Sequence, residues 1–266
     1  MKLLLYLSYD GKDFCGYQAQ ANGKTVQQTL NTAAEALFGH PCDITGCSRT
    51  DSGVHARMFC AAVTAKGQPC IRTTIPVDKI PRAMNIHLPD SVAVWQALWV
   101  PDDFHPRYDV SSKAYEYRIW NAPCRSPFEQ GRSWHLPAHI DDTALSAMQT
   151  AAHAFVGKRD FSACMASGCT VEDKVREVTE ASVRREGDAV LFYVRADGFL
   201  YHMVRIMVGT LADVAQGKIP PEDMARRLDS LDRHSMGRTA PPDGLYLYSV
   251  YYQDPRKAGY AGGDTV

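Results

Sequence analysis

An aspartate set between a cation and a turn is the most chemically suggestive feature of this chain. In Gly46-Cys47-Ser48-Arg49-Thr50-Asp51-Ser52-Gly53-Val54-His55-Ala56, Asp51 follows Arg49 by two residues and directly precedes the turn-forming pair Ser52-Gly53. The stretches Cys42 to Cys47 and Val54 to Thr64 on either side both read as strand. A carboxylate on a tight turn between two strands is held rigidly and stays accessible, which suits a nucleophile or a general base. An Asp-Ser-Gly hairpin turn with a surface ion pair accounts for the same residues without chemistry.

Two further features could serve such a carboxylate. The segment Phe199 to Gly209 is apolar nearly all round, the pattern of a buried helix, and carries Arg205 in its middle. A guanidinium keeps its proton, so a buried one needs an anion. Either a structural carboxylate or Asp51 could be that anion. Tyr115 and Tyr117 share a face of the alternating stretch Lys113 to Trp120, where half-core packing is the plain explanation. His40, Cys42 and Cys47 have the side chains of metal ligands, but no fourth ligand is evident and no metal site is expected.

These candidates need elements to position them. Leu3 to Ser8 reads as a strand, followed by a polar, glycine-containing loop. Thr25 with Gln28 has capping-box spacing, and Val26, Leu30, Ala33 and Leu37 follow helical periodicity until Gly39 and Pro41 stop it. A short helix near Val77 to Met84 and a strand from Val92 to Leu98 complete a β-α-β-β-α-β half. From Pro101 onward the reading is a strand (Lys113 to Trp120), a helix (Asp141 to Phe155) and a hairpin around Glu186-Gly187-Asp188. Helices from about Leu200 to Ala215 and Pro220 to Leu231 and a final strand, Leu245 to Tyr251, follow. The order predicts an α+β fold on a mixed, mainly antiparallel sheet. It divides into an N-terminal half, 1–100, a C-terminal half, 101–254, and a small, polar, glycine-rich tail, 255–266, expected to be mobile.

Composition sets outer bounds. With 266 residues and 45% hydrophobic content, the chain can bury a real core. A net charge of −1 gives no overall basic excess, so any nucleic-acid surface must come from charge distribution. Eight cysteines without a C-x-x-C spacing suggest reduced thiols in a cytoplasmic protein. The apolar start is interrupted by Asp10 too early for a signal peptide, and no segment has the length of a membrane span. Dinucleotide, Walker and zinc patterns are absent, which fits a chain with no cofactor.

The Asp51 stretch resembles the R-T-D-x-G-V-H-A signature of the TruA family of tRNA pseudouridine synthases. Further blocks follow in the family's order: Tyr9-Asp10-Gly11 with Phe14, Gly16, Gln18 and Gln20; Thr25-Val26-Gln27; Asn85 with Leu88-Pro89-Asp90; and Phe104 to Tyr108. Lys113 to Tyr117, Gly198 to Arg205 with Val208-Gly209, and Ala240-Pro241-Pro242 with Gly244 to Leu247 continue it, so the resemblance covers about residues 6 to 252. Ser48 stands where the family usually has Gly, Pro106 where it has Ala, and Cys164 where an aromatic residue is common.

The resemblance implies two α/β halves sharing one continuous sheet, with a central active-site cleft. It implies isomerisation of uridine to pseudouridine at positions 38, 39 and 40 of the tRNA anticodon stem-loop, by a homodimer. Asp51 is then the catalytic carboxylate and Arg205 its partner. Tyr115 stacks on the target base, and Leu245 belongs to an apolar wall. Arg49 would contact the RNA backbone or fill the space left by the flipped base, while Arg107 and Lys113 are candidates for phosphate contacts. Three alternatives remain on sequence grounds: a noncatalytic tRNA-binding protein on the same scaffold, a synthase acting at another RNA site, and a glycosidase pairing Asp51 with Asp10 or Asp13.

Overall fold

The computed structural model describes residues 1–68, 70–168 and 171–252. Among them, ten strands of a mostly antiparallel sheet and five α-helices give the α+β class that the element order predicts. The chain forms two compact units, Met1–Ser111 with 247–252, and Ser112–Tyr246.

In the first unit, strand β1 (Lys2–Tyr9) lies between β4 (Val92–Val100) and β3 (His55–Ala65), antiparallel to both. Leu3, Leu4, Leu5, Tyr6 and Leu7 are all buried, so this central strand loses the alternation expected of a strand with one wet face. Strand β2 (Cys42–Gly46) pairs with β3 on one side of the unit. Helix α1 (Val26–Phe38) begins as its capping box predicts: the Thr25 hydroxyl accepts the Gln28 N–H at 3.3 Å. It ends at Gly39, whose φ of 72° is the left-handed stop glycine favours. Helix α2 (Ile80–Asn85) precedes β4.

In the second unit the strand order is β5 (Val110–Trp120), β9 (Ala189–Ala196), β8 (Val175–Glu186), β7 (Gly157–Asp160), all antiparallel. The two-residue β6 (Trp134–His135) pairs in parallel with β5. Helices α3 (Asp142–His153) and α4 (Met203–Ala215) pack together, and α5 (Met224–Asp229) follows. The last strand, β10 (Leu245–Tyr252), starts in this unit and ends in the first.

Three expectations need correction. Helix α4 starts at Met203, not near Leu200, because His202 takes a left-handed conformation (φ 59°, ψ 10°). Arg205 is therefore in the first helical turn instead of the middle, and it is half-buried while Ile206 to Ala212 are buried. The stretch Pro220 to Leu231 is a 3-10 turn leading into the short α5, since Pro220 and Pro221 bring no N–H donors. Strands β6 and β7 were not foreseen; β7 reads Gly-Lys-Arg-Asp and offers no apolar alternation. The tail 255–266 lies outside the described residues. No helix among the described residues is long and apolar enough to cross a membrane.

Candidate active site

The Asp51 loop runs from Cys47 to Val54 between β2 and β3, and it is pinned at Cys47 and from Thr50 to Val54. At its entry, the Cys47 N–H donates to the Cys60 carbonyl at 2.8 Å, extending the β2–β3 ladder. Next, the Thr50 hydroxyl meets the Tyr9 hydroxyl at 2.9 Å, and its carbonyl accepts the Tyr17 N–H at 3.1 Å. The Val54 N–H then donates to the Asp51 carbonyl at 3.2 Å, closing a turn with Gly53 at φ 80°. Finally, the Gly53 N–H and the Ser52 hydroxyl both donate to the Phe14 carbonyl at 3.3 Å. The Asp51 side chain stands half-buried on this fixed turn, and Arg49 is exposed beside it.

The opening motif Tyr9-Asp10-Gly11…Phe14…Gly16 is the wall behind that turn. A Cβ on Gly11 would stand 2.0 Å from the Val54 carbonyl oxygen, and one on Gly16 would stand 2.7 Å from the Thr50 carbonyl oxygen. Neither backbone could approach the Asp51 loop so closely with a side chain. Buried His55 joins the two segments: its Nδ1 accepts the Gly11 N–H at 3.0 Å and lies 3.1 Å from Asp10 Oδ1. Asp10 also accepts the Lys12 N–H at 3.1 Å. Asp10 thus has structural work at this turn, which weakens it as the second carboxylate of a glycosidase. Sequence reasoning passed over His55, whose place in the signature motif was the available signal.

Arg107 and Tyr108 are exposed in the loop 105–109, which His105 organises. The His105 Nδ1 accepts the N–H groups of Arg107 at 3.1 Å and Tyr108 at 3.3 Å. Desolvation, with help from the nearby Lys2 and Arg107 charges, holds this imidazole below its usual pKa. It therefore remains an acceptor for those two amides.

In the second unit, Lys113, Tyr115 and Tyr117 lie on one face of β5. Lys113 is half-buried. Tyr115 is 7% exposed, and its ring meets that of Phe199 in a T-shaped contact at 4.9 Å and 82°. Tyr117 is fully buried, and its hydroxyl donates to the Pro241 carbonyl at 2.8 Å. The preceding Ala240 carbonyl accepts from Arg205 Nε at 2.8 Å, while the Ala240 N–H donates to the Arg205 carbonyl at 3.0 Å. Burial drives the Tyr117 phenol well above its usual pKa, and the nearby Arg205 charge partly opposes that shift. The segment Ala240-Pro241 thereby ties the first turn of α4 to the tyrosine face of β5. Leu245, buried at 6% exposure, begins β10 four residues further on. Tyr115, Arg205 and Leu245 thus belong to the second unit, while Asp51, Arg49 and Arg107 belong to the first.

The three imagined metal ligands separate. Cys42 Sγ is 3.8 Å from His40 Nδ1, whereas Cys47 Sγ accepts the Cys60 N–H. Burial pushes the Cys42 thiol up to about 11. Among the described residues, no group of three or more His, Cys, Asp or Glu side chains is placed to hold a metal ion.

The comparisons agree with one another. A family model described as tRNA pseudouridine synthase matches residues 6–109 and 151–253. A protein of Acetivibrio thermocellus named tRNA pseudouridine synthase A is 41% identical over 93% of this chain and 98% of its own length. Proteins of the same name from Citrifermentans bemidjiense and Geotalea uraniireducens are 41% and 40% identical, each over 94% of this chain and 97% and 99% of theirs.

Proposed function

The chain belongs to the tRNA pseudouridine synthase family, and we propose that it isomerises uridine to pseudouridine at positions 38, 39 and 40 of the tRNA anticodon stem-loop. Its end-to-end similarity to proteins named tRNA pseudouridine synthase A carries the general reading. The restriction to the anticodon arm rests on the sequence resemblance.

The isomerisation breaks the N1–C1′ bond, turns the uracil, forms a C5–C1′ bond, loses the C5 proton and returns a proton to N1. Nothing is oxidised and no group leaves the RNA. The enzyme needs a target nucleotide out of its stack, one well-placed carboxylate, and walls that keep water from the sugar. Asp51 is the carboxylate; it adds to C1′ or takes the C2′ proton. The several tethers on its turn hold it in place without any change at the moment of reaction. Arg205 is the partner that the resemblance gives Asp51. A cation in the first turn of a helix opposes the helix dipole, so its position favours an anionic partner. Tyr115 stacks on the detached uracil, and Leu245 excludes water. Arg49 supports the flipped state, and Arg107 and Lys113 meet phosphates.

The substrate is tRNA, bound by a homodimer in the cytoplasm. Each chain is nearly neutral, so pairing two of them brings the cations of both to one RNA.

The test uses tRNA transcripts carrying tritium at uracil C5. Wild type should release tritium and leave pseudouridine at 38 to 40, whereas Asp51→Ala should bind tRNA and release none. Tight binding without release by either protein would leave a noncatalytic tRNA-binding protein instead. Product outside the anticodon arm would keep the chemistry and overturn the site.

A further inference from the structure

Between Phe199, which touches Tyr115, and Arg205 the chain displays two rings that the mechanism does not use. Tyr201 is 44% exposed, and its ring lies on the His202 ring at 3.8 Å and 28°. We propose that Tyr201 and His202 form a stacking platform for a base of the same tRNA next to the target uridine. This rests on the reading of the chain as a tRNA pseudouridine synthase.

The backbone argues that the rings are there for their faces. His202 has φ 59°, and among the described residues only it and Leu231 take a positive φ without being glycine. A side chain is strained in that region, and glycine would adopt it freely. The left-handed turn starts α4, and glycine there would start it without strain. The conformation is also held in place. The Tyr201 carbonyl accepts the Ala166 N–H at 3.1 Å, and the His202 carbonyl accepts the Ile206 N–H at 3.0 Å. The platform is therefore preorganised, and stacking a base on it costs little further ordering.

Its position favours RNA as the occupant. Tyr201 follows Phe199 by two residues, a Cα separation of at most about 7 Å. Phe199 in turn touches the ring assigned to the target base. Once the uridine has left its stack, a neighbouring base loses a stacking partner, and an exposed aromatic face can replace it.

The experiment measures binding of a fluorescein-labelled tRNA transcript to full-length protein carrying Asp51→Ala, so that no turnover intervenes. To this background are added Tyr201→Ala, Tyr201→Phe or His202→Gly. Loss of one base stack should weaken Kd by roughly tenfold to a hundredfold for Tyr201→Ala. Tyr201→Phe, which keeps the ring, should restore affinity to within about threefold. His202→Gly should also weaken binding, yet unfold at or above the parent's temperature because glycine accepts the φ. With Asp51 intact, Tyr201→Ala should raise KM for tRNA far more than it lowers kcat.

Tyr201→Ala binding within about twofold of its parent would overturn the platform. So would a weakening that tracks a change in oligomeric state by light scattering, since the rings would then meet another protein chain. Tritium release by wild type separates these failures from failure of the underlying reading: if wild type neither binds tRNA nor releases tritium, both fall together.

Discussion

The carbonyl oxygen of Val54 occupies the space that a side chain on Gly11 would need, 2.0 Å from the position of its Cβ. The two lie 43 positions apart in the chain, yet their contact sets how close the first loop comes to the turn bearing Asp51.

Gly11→Ala should therefore cost stability and catalysis together. Overpacking against backbone costs about 1–3 kcal/mol. The displaced turn should lower kcat at least tenfold while tRNA affinity stays near that of wild type. Gly39→Ala is the control, because its Cβ would meet nothing within 4 Å and only its φ of 72° is unfavourable. It should lose about 1 kcal/mol and keep kcat. Urea unfolding and the tritium assay on both variants decide the matter; equal kcat for the two would show that Gly11 does not position Asp51.

Gly209→Ala tests the corresponding contact in the second unit. Within a helix, alanine is favoured over glycine by about 1 kcal/mol. Here the added Cβ would stand 1.7 Å from the Arg238 carbonyl oxygen, and that backbone belongs to the strip leading to Ala240. The clash should win, with a net loss of about 1–2 kcal/mol. Moving the strip should also draw the Ala240 carbonyl away from Arg205 Nε and reduce turnover. A gain in urea midpoint, as propensity alone would give, would refute this.

Glu129 and Arg118 predict a pH-dependent contribution to stability. The Arg118 guanidinium grips the carboxylate with two bonds, Nε to Oε2 and Nη2 to Oε1, each 2.9 Å. That hydrogen bonding holds Glu129 below the usual carboxylate range, although partial burial opposes it. Because the folded pKa is lowered, the stabilisation is complete above the unfolded value of about 4.3 and fades as pH falls through the folded one. A half-buried bidentate pair lies between exposed and buried cases, so Glu129→Gln should lose about 1–2 kcal/mol at pH 7. The gap to wild type should close below about pH 4, measured by urea midpoints across pH. A gap that stays constant would assign the loss to packing.

Much of the fold was legible because its signals are local. Thr25 with Gln28 and Gly39 bracket α1 within one turn of its ends, and that helix begins and stops where they predict. The alternation from Lys113 to Trp120 and from Ala189 to Ala196 yields strands for the same reason. The start of α4 was misread because an apolar run through Phe199 and Leu200 continues the helical pattern. The left-handed turn at His202 interrupts it, and although histidine is enriched in that conformation, few histidines adopt it, so the residue type is a weak signal inside an apolar run.

By itself the sequence determined the chemistry on offer: an aspartate on a turn, an arginine in an apolar helix, a tyrosine face on a strand, and the order of the elements carrying them. Side-chain type and short-range spacing suffice for these, because helix caps, turns and strand faces involve residues only a few positions apart. Tertiary structure alone decided which backbones touch. It brought Gly11 against Val54, His55 to Asp10, and Ala240 to Arg205. Such contacts join residues tens of positions apart through steric exclusion and single hydrogen bonds, and neither leaves a periodic trace in the chain.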